Sequence, residues 1–191
     1  MPASSPLRRL TAVALLLAVM RPGVARAEGG APDSLGRLHP GAIEVGVAGS
    51  LTTVEGQARA TLALRCGGFV GTRLGLMGGE IEPAYSHVSA LDTYEVQAAV
   101  TWQAAPGARP PHVFIAIGGG VRQEHLGSFS DVRYPVGCGV GLRLFMGPRA
   151  AFRSEYRYRR VLHDPVADFS EHQVLVGLSA IFRNSPAAGP R

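Results

Sequence analysis

The sequence predicts an all-β chain, an eight-stranded antiparallel up-and-down transmembrane β-barrel. Three observations carry that expectation. Apolar and polar residues alternate with period two along eight successive stretches, and no helical period is found beyond residue 40. One parity collects Val, Leu, Ile and aromatic residues, while the other mixes glycine with glutamate and arginine. The connections alternate as well: turns rich in Gly and Pro follow the even strands, and more polar ones follow the odd strands.

The strands are expected in this order. The first covers about 41–52, with Ile43, Val45 and Val47 on one face, and the second about 58–66, with Leu62 and Leu64. The third, about 74–86, breaks parity: Leu74 and Leu76 stand against Met77 and Ile81, and Gly78-Gly79 offers a bulge. The fourth spans about 92–104 with Tyr94, Val96, Val100 and Trp102, and the fifth about 112–124 with Val113, Ile115, Ile117 and Val121. The sixth covers about 132–146 with Tyr134, Val136, Val140, Leu142 and Leu144. The seventh is "AAFRSEYRYRRVL", residues 150–162, and the eighth lies at about 171–183 with Val174, Val176, Leu178, Ala180 and Phe182. Several of these reach the ~9–11 residues that a tilted strand needs to cross a bilayer. The connections after the odd strands are expected to be short loops of about 5–9 residues, and "GGFVGTR", "APGARPP" and "MGPR" to be turns.

The ends divide differently. Residues 1–27 combine Arg8 and Arg9, an apolar run from Leu10 to Met20, and Ala25-Arg26-Ala27, which is the pattern of a cleaved secretory signal peptide. Residues 28–40 read as a flexible lead-in, 41–183 as the barrel and 184–191 as a tail. The formal net charge is +5, but the signal segment holds four arginines and no acid, so the exported chain would carry 5 − 4 = +1. That balance argues against a nucleic-acid partner. All 19 basic residues are arginine, the residue better suited to paired and partly buried charge.

The seventh strand shows which face looks where. One side of it is Phe152, Ser154, Tyr156, Tyr158, Arg160 and Leu162; the other is Arg153, Glu155, Arg157, Arg159 and Val161. Eight strands enclose a lumen just wide enough for side chains to fill. The mixed parity supplies a lumen charge network of Glu44, Glu80, Glu82, Glu95 and Glu155 with Arg65, Arg122, Arg143, Arg153, Arg157 and Arg159. Pairing across the lumen would satisfy charges that are costly to bury alone. The apolar parity, with rings nearer the strand ends, fits lipid and its aromatic girdles. Arg160 breaks that parity, as a residue able to snorkel near a membrane edge does. The competing arrangement is a soluble lipocalin-like barrel with the faces exchanged, whose solvent surface would be unusually glycine-rich.

"YPVGCGVGLRLFMGPRAAFRSEYRYRRV" resembles the penultimate hairpin of the small outer-membrane protein β-barrels of the OmpA/OmpX type. "EHQVLVGLSAIF" is similar to the closing strand of that family, with Gly177, Ala180 and Phe182 at the spacing of its C-terminal assembly signal. The resemblance implies a Gram-negative outer membrane, both termini in the periplasm and the four polar loops outside. It implies outer-membrane lipid and lipopolysaccharide as surroundings, the barrel-assembly machinery as a partner in biogenesis, and a monomer. The expected role is structural or interactive within the cell envelope, without a wide pore.

"YSHVSA" sets His87 and Ser89 two residues apart. This pair resembles the His-x-Ser of outer-membrane lipid A deacylases, which gives the alternative of a lipid A-modifying enzyme. A triad also needs a carboxylate to orient the ring, and the nearest strand acid, Glu95, has lumen parity. Ala90 stands where those enzymes carry Asn. No cofactor is expected. The histidines, His39, His112 and His163 among them, lack metal-site spacing, and no metal is expected. Cys66 and Cys138 share parity with lipid-facing residues on strands two and six, so two free thiols are expected.

Overall fold

The computed structural model describes residues 38–54, 57–104, 111–162 and 169–183. The expected signal peptide, most of the lead-in and the tail lie outside them. Eight strands run in chain order: β1 Ala42–Val54, β2 Gln57–Thr72, β3 Gly75–Val88, β4 Leu91–Ala104, β5 His112–Leu126, β6 Phe129–Phe145, β7 Ala150–Leu162 and β8 Phe169–Arg183. Each pairs antiparallel with its sequence neighbour, and β8 closes on β1, Phe182 opposite Ile43. Both ends of the barrel chain therefore lie at one rim.

The pairings fix the barrel's shape. Cross-strand partners starting at Ile43 pass through Gly68, Gly79, Val100, Ile117, Cys138, Tyr158 and His172 and return to β1 at Thr53. The return is displaced by 53 − 43 = 10 residues, the shear that tilts the strands by about 40°. A strand of 13 residues, the shortest here, then spans about 30 Å along the barrel axis. That exceeds the ~25 Å apolar band of outer-membrane barrels.

Three expectations about local structure are corrected. The β2–β3 and β3–β4 registers run through Gly78-Gly79 without a shift, so there is no bulge there. Leu76 instead points inward, buried with Leu38, Ala42, Phe69, Ala151 and Ile181 in an apolar plug at the rim that holds the termini. "GGFVGTR" is not a turn as a whole: β2 continues through Thr72 and leaves Arg73 and Leu74 as the connection. The loops after β3 and β5 are two-residue turns, Ser89-Ala90 and Gly127-Ser128, closed by Val88 opposite Leu91 and Leu126 opposite Phe129. Both turns open with a positive φ, 57° at Ser89 and 58° at Gly127, as the primed turns of tight hairpins require. Leu38 to Pro40, assigned to the lead-in by sequence, are described beside the barrel's rim with Leu38 buried, and Gly41 N–H donates to the Phe69 carbonyl at 2.7 Å.

Candidate functional site: the charged lumen and the outer surface

The interior is a column of ion pairs. All eleven residues of the expected lumen network are buried within the barrel, each less than a tenth exposed. At the level above the apolar plug, Arg143 donates to Glu44 at 2.8 Å and to Gln103 at 2.9 Å. Arg153 donates to Glu80 at 2.7 Å and to Glu155 at 2.8 Å. The guanidinium of Arg153 also lies 4.1 Å from the centre of the Phe114 ring, a cation–π contact in a dry setting. Phe114 can lie there because Gly141 leaves room; a Cβ at Gly141 would fall 2.3 Å from the ring.

The next level joins Arg157 to Glu155 at 2.6 Å and to Glu82 at 2.8 Å, with Arg65 on the other Glu82 oxygen at 2.5 Å. Gln97 accepts from Arg157 and donates to Glu95, linking this level to the one above. There Arg122 and Arg159 share Glu95 and Glu171. Arg122 grips both Glu171 oxygens at 2.6 and 2.7 Å, and Arg159 donates to Glu95 and Glu171 at 2.6 Å each. Bidentate pairs of this kind combine strength with fixed geometry.

Sequence reasoning missed the outermost level. Arg59 reaches Glu124 at 3.1 Å, and Arg133 reaches Glu124 at 3.2 Å and Asp131 at 2.9 Å. Glu171 was also missed. A signal existed, because Arg59, Glu124 and Glu171 have the same parity as Arg65, Arg122 and Gln173. Extending the alternation to the strand ends would have found them. Among the described residues, eight arginines and eight acids line this column: Arg59, Arg65, Arg122, Arg133, Arg143, Arg153, Arg157 and Arg159 against Glu44, Glu80, Glu82, Glu95, Glu124, Asp131, Glu155 and Glu171. The interior is charge-neutral and crowded. A space bounded by Thr52, Arg59, Arg122 and Arg159 measures about 10 Å³, room for about one water.

The exterior is the reverse. Val45, Val47, Leu51, Leu64, Val100, Ile117, Val140, Val176 and Leu178 all stand outward and exposed. Water would penalise so large a contiguous apolar surface, and a soluble barrel would place it inside. The rims differ in kind. All five tyrosines, Tyr85, Tyr94, Tyr134, Tyr156 and Tyr158, face outward toward the rim opposite the termini. Trp102, Met77 and Phe182 face outward near the other rim. In the closing strand, Ala180 and Phe182 face outward, whereas Gly177 is turned to the lumen beside Ala48.

His87 sits on the outward face at the tyrosine-bearing rim. The acid beside it is not Glu95, which stays in the lumen, but Asp92, brought opposite by the two-residue turn. His87 Nδ1 lies 2.8 Å from Asp92 Oδ1, which also accepts from the Tyr85 hydroxyl at 2.8 Å. Ser89 occupies the turn itself, and no hydrogen bond among the described residues joins it to His87. Cys66 and Cys138 are free and exposed on β2 and β6, four strands apart in the ring of eight.

No family model matches the sequence, and no curated protein matches it. Solved structures do. The Neisserial surface protein A aligns over 73% of this chain and 95% of its own, with 10% identity and a TM-score of 0.53. The N-terminal β-barrel domain of Pseudomonas aeruginosa OprF aligns over 74% of this chain and 98% of its own, with 9% identity and a TM-score of 0.56. Identities this low speak to architecture alone, and the architecture agrees in its eight-stranded barrel. The chain has the fold of the small eight-stranded outer-membrane β-barrels.

Proposed function

We propose that this chain is an outer-membrane β-barrel with a structural or interaction role in the cell envelope, exported by its first 27 residues and non-enzymatic. The single observation that carries the reading is the inverted burial: an apolar exterior, on strands that span about 30 Å, around a charge-neutral, ion-paired interior. An interior filled by arginine and glutamate side chains leaves no wide passage, so bulk solute transport is not its role. The turns after β3 and β5 are two residues each, which leaves little loop for a specialised adhesin at those positions. Surrounding lipid and lipopolysaccharide, and the barrel-assembly machinery during biogenesis, are the partners this reading implies, with a monomer as the working unit. Envelope fractionation with heat-modifiable gel migration tests it. The expected result is outer-membrane recovery and a band that shifts on boiling; recovery with soluble periplasmic protein would overturn the reading.

One observation favours a second reading, a lipid A-modifying hydrolase. Asp92 orients the His87 ring, as a base in acyl transfer requires, and Ser89 is two residues away. Release of fatty acid from acylated lipid A by the inserted chain, abolished by Ser89→Ala, would establish that reading over the first.

A further inference from the structure

Six of the eight seams between strands run pair by pair without a gap. The other two skip. Between β2 and β3 the register passes from Ala63–Ala84 to Cys66–Ile81, leaving Leu64 and Arg65 unmatched to Pro83 and Glu82. Between β5 and β6 it passes from Gly119–Val136 to Arg122–Arg133, leaving Gly120 and Val121 unmatched to Pro135 and Tyr134. The register shifts in neither place, so these are gaps and not bulges. Each holds one of the two prolines that lie within described strands, and a proline has no N–H to give the ladder. Pro83 keeps Val96 and Pro135 keeps Val161 on their other sides, so the missing bonds are those owed to β2 and β5. Open space accompanies both gaps. A groove of about 420 Å³ lies against Pro83 with Val45, Leu64 and Cys66, and a space of about 20 Å³ lies among Gly119, Pro135, Arg157 and Arg159.

The two seams cut the ring into a section of three strands, β3–β5, and a section of five. The charges of the column divide along the same cut. Strands β3–β5 hold Glu80, Glu82, Glu95 and Glu124 against Arg122 alone, 1 − 4 = −3, and the other five hold seven arginines against four acids, 7 − 4 = +3. The column is neutral only because the sections face each other. Short bonds cross between them: Arg153 to Glu80 at 2.7 Å, Arg157 to Glu82 at 2.8 Å, and Arg159 to Glu95 and Arg122 to Glu171 at 2.6 Å.

We propose that β3–β5 is a hinged section of the wall, which parts from β2 and β6 at the two proline seams and is held shut by the ion pairs across the lumen. The inference concerns the wall itself and goes beyond the role proposed above. A seam that lacks a ladder bond opens at smaller cost, and the attraction of −3 for +3 across a low-dielectric interior opposes the opening. Tyr85 and Tyr134 stand two and one residues from the prolines, so both seams lie in the half of the wall nearer the tyrosine-bearing rim. At the other rim the apolar plug joins Leu76 of β3 to Phe69 and Ile181 of the larger section, and there the hinge lies. Opening gives the ion-paired interior a side entrance for water and small polar solutes, while the plug keeps the rim of the termini closed.

The test is amide hydrogen exchange of the full chain in lipid nanodiscs, read residue by residue by NMR. The Leu64 and Gly120 amides should exchange at least about 10-fold faster than those of the unbroken β7–β8 seam. Pro83→Val supplies the missing donor and should slow the β2–β3 seam about 10-fold, the scale of one hydrogen bond. A section that moves as one body should slow at the β5–β6 seam in the same variant, and Pro135→Val should do the converse. Glu82→Gln leaves Arg65 and Arg157 with a neutral partner and should speed both seams. Equal exchange at all eight seams overturns the proposal. So does a proline variant that slows only its own seam, since the gaps would then be two local defects. A folded Glu82→Gln chain whose two seams exchange as in the parent overturns it as well.

Discussion

Replacing Glu155 with alanine tests the ion-paired interior at its best-connected point. The Glu155 side chain is wholly buried. It accepts from Arg157 Nε at 2.6 Å and Arg153 Nη2 at 2.8 Å, with Arg65 Nη2 at 3.6 Å. Breaking a buried pair by removing one partner typically costs about 3–5 kcal/mol, because the partner's charge stays buried and uncompensated. Here the three arginines each keep another acid: Arg153 keeps Glu80, while Arg157 and Arg65 keep Glu82. That redundancy places the expected loss near the lower end, about 3 kcal/mol. The lumen would also change from eight acids facing eight arginines to seven facing eight. The assay is urea unfolding of the barrel in lipid vesicles, followed by tryptophan fluorescence and by the folded-to-unfolded gel shift. An unfolding free energy within about 0.5 kcal/mol of the parent, the usual range for an unremarkable surface substitution, would refute the reasoning. It would mean that water screens these charges and that the pairs contribute little.

Gly141→Val should lower the unfolding midpoint in the same assay, by the ~1–3 kcal/mol of an overpacked site, because a Cβ there meets Phe114 at 2.3 Å and the Ser154 carbonyl at 2.7 Å. Gly49→Ala, where the Cβ enters open space on the outer wall, should leave the midpoint unchanged, and equal effects of the two would discredit the close-approach argument. Peptide mapping without reductant should recover Cys66 and Cys138 as separate thiols, since β2 and β6 are opposite walls and a disulfide needs Cα atoms within about 7 Å. A peptide joining them within one chain would contradict the strand order. Ending the chain before Ala180 strips β1 of its partners at Ala42 to Val45 and leaves sheet edges unpaired, so the truncated chain should accumulate unassembled in the periplasm. Normal membrane insertion of that chain would count against the closing strand as an assembly signal.

The strands were legible because a wall with lipid on one side and charge on the other alternates, and the burial of β7 does so without interruption from Phe152 to Leu162, with Arg160 the one charge on its outward side. What was misread follows from the same rule at its margins. Near the rim opposite the termini the outward medium becomes polar, so His87, Asp92, His125 and Ser130 resemble loop residues although they are paired within strands. Polarity there reports the surroundings and not the backbone. At the other rim the interior becomes apolar, so Leu76 and Phe69 occupy the parity reserved for charge and imitate a bulge or a turn. The glycines of "GGFVGTR" suggested chain reversal, whereas Gly67 lies in a strand, with Glu80 against it on β3. Parity assigned charges to the lumen but not to partners. Which glutamate meets which arginine depends on the ten-residue shear, which no single strand encodes.

Arg159 and Arg160 are neighbours of one residue type with opposite surroundings. Arg159 is almost wholly buried and holds Glu95 and Glu171, so its charge is part of a sum that has to cancel. A closed eight-stranded wall cannot rotate one residue from outside to inside without shifting register, and a one-residue slip would send every charge of β7 into the apolar band. Arg160 is therefore not a member of the interior column, which is balanced at eight and eight among the described residues. An exposed arginine at that height contributes little to folding, where surface substitutions usually stay within about 0.5 kcal/mol. What it can change is the affinity of the wall for whatever anion lies beside it. The interior charges thus determine whether the barrel stands, and an outward charge such as Arg160 bears on what the barrel touches.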